Sequence, residues 1–210
     1  MLMRREVLRT SVDEPLTLAR ILATAEEVIR RFGPDKATVV DVARALGVSH
    51  AAVYRHVANK AELRDLVVNH WIAEIMPPLR AIAAMSGPAP QRLRQFYDAL
   101  VAVKRSRATE DPELFAAYRT LAMGAKSVST AHVEELVRLT AAIIQTGVAE
   151  GAFRRVDPLA TSRAVLMATL RFHHPLHADE WREPTIDTAY EEVWQLVMAG
   201  LRAPQSDSQQ

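Results

Sequence analysis

The sequence predicts an all-α protein, a small three-helix head with a helix-turn-helix followed by a larger helical remainder. Three observations carry that expectation. Only 7 of 210 residues are Gly and 6% are aromatic, while Ala, Leu and Val recur throughout; this mix favours helices over sheets. Apolar residues return at three- and four-residue steps over long stretches. Between those stretches stand helix-end signals, with Ser, Thr, Asp or Asn before and Gly or Pro after.

Residues 1–14 are charged and aperiodic, and read as a flexible arm. Arg4, Arg5 and Arg9 could touch DNA from it, although a solvated tail explains them as well. From Leu16 the period is clean: Leu18, Ile21, Leu22, Ala25, Val28, Ile29 and Phe32 share one face, and Gly33-Pro34 ends the helix. Asp35 to Ala37 form a short loop. Thr38 caps a second helix, to about Leu46, with Asp41 favouring its positive end. Gly47 makes the turn, and Ser49 caps a third helix from His50 to about His56. Asn59, with Glu62 three residues on, opens a fourth helix that Pro77-Pro78 should kink or end. Further helices are expected at about 89–106, 112–123, 129–149, 158–172 and 185–199, with Gly200 closing the last. The resulting domains are 15–60 and 61–202, with a disordered tail over 203–210.

The stretch from Val39 to Ala58 meets the demands of a helix-turn-helix. Ala43 is small where two helices cross closely, and Gly47 supplies the positive φ that leaves the first of them. Val42, Leu46, Val48 and Val53 are the apolar residues that lock the pair onto the first helix. A recognition helix enters the major groove with its N-terminal residues toward base edges, here Ser49, His50, Ala51 and Ala52. His50 can donate to a guanine acceptor or a phosphate, and the alanines can contact a thymine methyl. Tyr54 and His56 suit backbone phosphates. Lys60 can hold a phosphate at the start of the fourth helix, as Thr38 and Val39 can at the start of the second.

The stretch Ile21 to Val67, ILATAEEVIRRFGPDKATVVDVARALGVSHAAVYRHVANKAELRDLV, resembles the N-terminal domain of the TetR family of transcriptional regulators. The resemblance implies a DNA-binding head followed by a larger helical ligand-binding and dimerisation domain. It places the family's contact positions on Thr38, Ser49, His50, Ala51, Tyr54, His56 and Lys60. Three departures concern which operator is read: Val57 replaces a frequent aromatic, Val40 a frequent polar or basic residue, and Ala51-Ala52 a more polar pair. The segment GVAEGAFRRVDP, Gly147 to Pro158, also resembles the family. It implies a homodimer closed by the helices at 158–172 and 185–200 as a four-helix bundle.

Such a regulator would take an unknown small-molecule effector in an apolar pocket. Candidate lining residues are Trp71, Phe96, Tyr97, Leu100 and Phe115, with Tyr118, Met123, Met167 and Phe172; core packing explains each of them as well. His173, His174 and His177 invite a metal reading, but Pro175 makes a shared helical face doubtful. No cofactor is expected.

Composition narrows the alternatives. With no cysteine there is no disulfide and no thiolate chemistry. No apolar run reaches the length of a membrane span, and Met1 to Thr10 lacks the core of a secretory signal, so a cytoplasmic protein is expected. Net charge is +1, with 11 Lys+Arg against 9 Asp+Glu over residues 1–70, a weak asymmetry. An enzyme is disfavoured because no Gly-rich phosphate loop, HExxH or GxSxG occurs. A helix-turn-helix protein that works without a ligand stays open beside the ligand-released repressor.

Overall fold

The computed structural model describes residues 15–36 and 38–203, with Lys36 described by its backbone alone. The expected arm, with Arg4, Arg5 and Arg9, and the expected tail beyond Ala203 lie outside the described residues. The chain divides into two units, one up to Leu63 and one from Arg64.

The first unit holds α1 (Leu18–Phe32), α2 (Val39–Leu46), α3 (His50–Tyr54) and the start of α4 (Lys60–Ala84). Helix α1 starts where Thr17 Oγ1 accepts from the Arg20 N–H at 3.3 Å and ends where Gly33 turns to φ 84°. Its Ile21, Leu22, Ala25, Val28 and Ile29 are buried, as are Val39, Val42, Ala43, Val53, Val57 and Leu63. Leu18 and Phe32 depart from the expected face, being 37% and 58% exposed. They sit at the two ends of a helix ~22 Å long, whereas its partner α2 is only ~12 Å long. Leu46 and Val48 are half-buried rather than central to the core.

The second unit holds the rest of α4 with α5 (Ala89–Glu110), α6 (Pro112–Gly124), α7 (Lys126–Ala149), α8 (Pro158–Ala168), α9 (Leu170–His173) and α10 (Ile186–Leu201). Asp111 and Asp157 cap α6 and α8, accepting from the N–H of Leu114 (3.0 Å) and Ala160 (2.7 Å), each with Pro as the first helical residue. Helix α5 packs on α7 and α9. The fully buried Leu93, Phe96, Tyr97, Leu100, Ile143, Ile144 and Phe172 form the interior. Gly147 lets the chain fold back on α7: a Cβ there would lie 2.2 Å from the Phe153 ring. The Phe153 N–H donates to the Gly147 carbonyl at 2.9 Å.

Helix ends differ from expectation at three places. Helix α4 does not end at Pro77-Pro78, one of the two outcomes expected there, but continues to Ala84. Ile72, Ile75, Met76 and Leu79 are buried on both sides of the prolines, so packing outweighs two lost backbone hydrogen bonds. The helix expected over 158–172 is interrupted at Thr169, whose hydroxyl donates back to the Val165 carbonyl at 2.9 Å. Gly200 lies inside α10 rather than closing it. Among the described residues there is no strand, only an isolated antiparallel bridge between Phe153 and Arg202. No helix among them is long and apolar enough to cross a membrane.

Candidate functional site

The turn between α2 and α3 is fixed by backbone chemistry. Thr38 Oγ1 accepts from the Asp41 N–H at 3.1 Å and donates to the Asp41 carboxylate, which also pairs with Arg44 at 3.1 Å. Gly47 adopts φ 68°, ψ 26°, the left-handed conformation a side chain would resist. The N–H groups of Gly47 and Val48 then meet the carbonyls of Arg44 and Ala43 at 3.2 and 3.1 Å. Ser49 Oγ accepts from the Ala52 N–H at 3.2 Å, which opens α3. Asn59 opens α4 by accepting from the Glu62 N–H at 2.9 Å, while the Glu62 carboxylate takes the Ala58 N–H.

With the caps satisfied and Val53 and Val57 buried, the other side of α3 is free. Ser49, His50, Ala51, Tyr54, Arg55, His56 and Lys60 are all exposed. Tyr54 is 48% exposed, so it is not packed against its neighbours as a core aromatic would be. Thr38 and Ala52 are half-buried. The Val39 side chain is 2% exposed and belongs to the core. What α2 offers at that point is the backbone N–H groups of its first turn. Lys60 Nζ donates to the Asp35 carbonyl at 3.2 Å, holding the ammonium beside the turn that follows α1. Two exposed cations add to the sequence-derived set, Arg44 on α2 and Arg55 between Tyr54 and His56. Their signal was their place inside the motif.

In the second unit, the candidate pocket residues divide. Phe96, Tyr97, Leu100, Phe115 and Phe172 are buried, and Trp71 and Tyr118 are half-buried. Met123 and Met167 do not join them, at 66% and 63% exposed. Aromatic rings run in contact from Trp71 to Tyr118 (5.2 Å, edge-on), to Phe115 (6.0 Å) and to Trp181 (5.8 Å). Beside this row lies a residue the sequence reading did not single out. Lys104 is 5% exposed, with Nζ 5.6 Å from the centre of the Tyr118 ring. Burial pulls its pKa down to about 8. Burial, then the Lys104 charge, depresses His132 and His173 to about 3 each, so both are neutral at pH 7.

The three clustered histidines have separate partners. His173 Nε2 lies 3.2 Å from Thr169 Oγ1, His174 Nδ1 accepts from the Leu176 N–H at 3.3 Å, and His177 Nδ1 meets Glu180 at 2.6 Å. Among the described residues no three His, Asp or Glu side chains are grouped to hold a metal ion. The metal reading therefore has no geometry behind it.

Comparison with known proteins gives two family matches. Residues 89–194 match the model described as "Tetracyclin repressor-like, C-terminal domain", and residues 21–67 match "Bacterial regulatory proteins, tetR family". No curated protein sequence matches the chain. Several solved structures share the fold. SmeT, the repressor of the Stenotrophomonas maltophilia multidrug efflux pump SmeDEF, is 16% identical with a TM-score of 0.66, over 90% of this chain and 92% of that one. NalD, the secondary repressor of the Pseudomonas aeruginosa MexAB-OprM pump, is 24% identical with a TM-score of 0.57, over 88% and 94%. FadR from Bacillus subtilis, solved with stearoyl-CoA, is 13% identical with a TM-score of 0.62, over 88% and 99%.

Proposed function

The chain belongs to the TetR family of transcriptional regulators, and from that premise we propose that it is a repressor that binds a palindromic DNA operator as a homodimer and is released by a small-molecule effector held in the second unit. The observation that carries this reading is the outward face of α3, where His50, Ala51, Tyr54 and His56 stand exposed beside Lys60 on a turn locked by Thr38, Gly47 and Ser49. His50 and the alanines meet base edges; Thr38, Tyr54, His56 and Lys60 clamp phosphates. Arg44 and Arg55 add to the clamp. Affinity then rests on phosphate contacts and two-fold symmetry more than on base readout.

Two helices of the second unit favour the dimer. Leu159 and Met167 on α8 and Leu196 on α10 are 47%, 63% and 74% exposed. Large apolar side chains open to solvent on neighbouring helices fit a four-helix closure with a second copy. Met167 is thus read as a dimer contact, not a pocket residue. The effector acts by its differential affinity for two states of the dimer. The protein is a regulator without catalytic chemistry of its own, acting where its DNA lies, in the cytoplasm.

Selection of bound sites from random DNA tests the reading. The expected product is a palindrome whose half-sites lie about 10 base pairs apart centre to centre. Bound sites without two-fold symmetry, or no enrichment at all, would sink it. Leu196→Glu should turn a dimer into a monomer by light scattering.

A further inference from the structure

Lys104 is a cation in the interior of the second unit. Its side chain is 5% exposed, and no carboxylate pairs with it among the described residues. Its contact is the face of the Tyr118 ring, 5.6 Å away. The titratable groups facing it from α7 and from the end of α9 are His132, His173 and His174, none of which can supply a negative charge. An unpaired buried ammonium costs stability, and an anion that reaches it recovers part of that cost.

Two more polar groups on other helices are also unmet. Trp71 Nε1 on α4 and His132 Nδ1 on α7 are shielded from solvent without a hydrogen-bond partner. Trp71 touches the same Tyr118 ring that Lys104 covers, at 5.2 Å between ring centres, and His132 lies within the field of Lys104. Three separate helices therefore bring one full positive charge and two open nitrogens to one neighbourhood. Beside them the row from Tyr118 through Phe115 to Trp181 is an apolar wall.

We propose that Lys104, Trp71 and His132 form an anion subsite that takes the carboxylate of an amphipathic organic acid, and that this acid is the effector of the regulator. The proposal rests on reading the second unit as the effector-responsive part. The charge count selects the class. One ammonium flanked by neutral imidazoles balances one negative charge, whereas a phosphate dianion would leave a net negative charge buried. A cationic ligand would meet repulsion, and a neutral amide would leave the ammonium uncompensated. The aromatic row takes the apolar body of the acid.

The test uses the full chain and four acids, hexanoate, decanoate, benzoate and indole-3-acetate, each beside its primary amide. Thermal shift and calorimetry should find at least one acid that binds tenfold or more tightly than its amide. Lys104→Met should abolish that preference, while Lys104→Arg, which keeps the charge, retains most of it. Without ligand at pH 7, Lys104→Met should melt above the wild type, which also verifies that it folds. Should that variant melt low, the acid-to-amide ratio in the wild type and in Lys104→Arg decides. The proposal is overturned if no acid raises the melting temperature, if acids and amides bind alike, or if Lys104→Met keeps the preference. Operator binding by the unliganded wild type, measured in parallel, separates the two readings. DNA bound without acid binding defeats the subsite alone; acid binding without DNA defeats the repressor and leaves the subsite.

Discussion

In the first unit, the polar side chains offered to a partner stand at the surface within one stretch, Thr38 to Lys60, and their backbone supports are local caps. In the second unit the polar groups that lack partners are inside, on helices as far apart in sequence as Trp71, Lys104 and His132. The exposed cations of the head, Arg44, Arg55 and Lys60, stay in contact with water. The interior holds a charge away from water and bears the cost of its desolvation.

Acid probes the interior most strongly. His132 and His173 are held near 3 in the fold against an ordinary 6.5. The unfolded chain takes up their protons as pH falls below 6.5 while the folded chain does not, so stability present above that pH is lost on the way down. The expected loss is about 4 kcal/mol per imidazole by pH 3.5, read by denaturant titration. His173→Asn should flatten the acid limb; an unchanged profile would break the contrast. Next in size, Tyr54→Ala combined with Lys60→Ala should weaken DNA binding about 100-fold across sequences and make the salt slope shallower by about 1–2. Tight binding by that double variant would remove the docking face. Gly147→Ala, which forces a Cβ into the Phe153 ring, should cost about 1–3 kcal/mol of stability by thermal denaturation. Smallest, Ser49→Ala removes one cap and should cost about 1 kcal/mol, with DNA affinity falling because α3 frays.

The same contrast governs how much could be read in advance. The all-α class, the α2–α3 turn and its exposed residues were legible because each depends on neighbours in sequence: a cap three residues from its N–H, a glycine at one φ. That the Val39 side chain turns into the core was not legible, because an N1 residue can face either way and only the packed head decides. The end of the helix that local propensity allowed at Pro77-Pro78 does not occur for a related reason, since buried neighbours override it. Lys104 was missed because the run Lys104-Arg105-Ser106-Arg107 looks solvated. Yet Leu93, Phe96, Tyr97, Leu100 and Val101 are buried at helical spacing, and Lys104 is the next position on that stripe. That spacing was the available signal. Its missing counter-ion was not, because pairing is decided by α6, α7 and α9.

The passage of α4 through two prolines has a mechanical consequence. The carbonyls of Ala73 and Glu74 have no N–H to meet at positions 77 and 78, so two adjacent rungs of the ladder are missing. A helix resists bending through those rungs, and where they are absent its stiffness falls at one place while both flanks stay rigid. Helix α4 is therefore a rod with a single compliant joint, set by covalent chemistry rather than by packing.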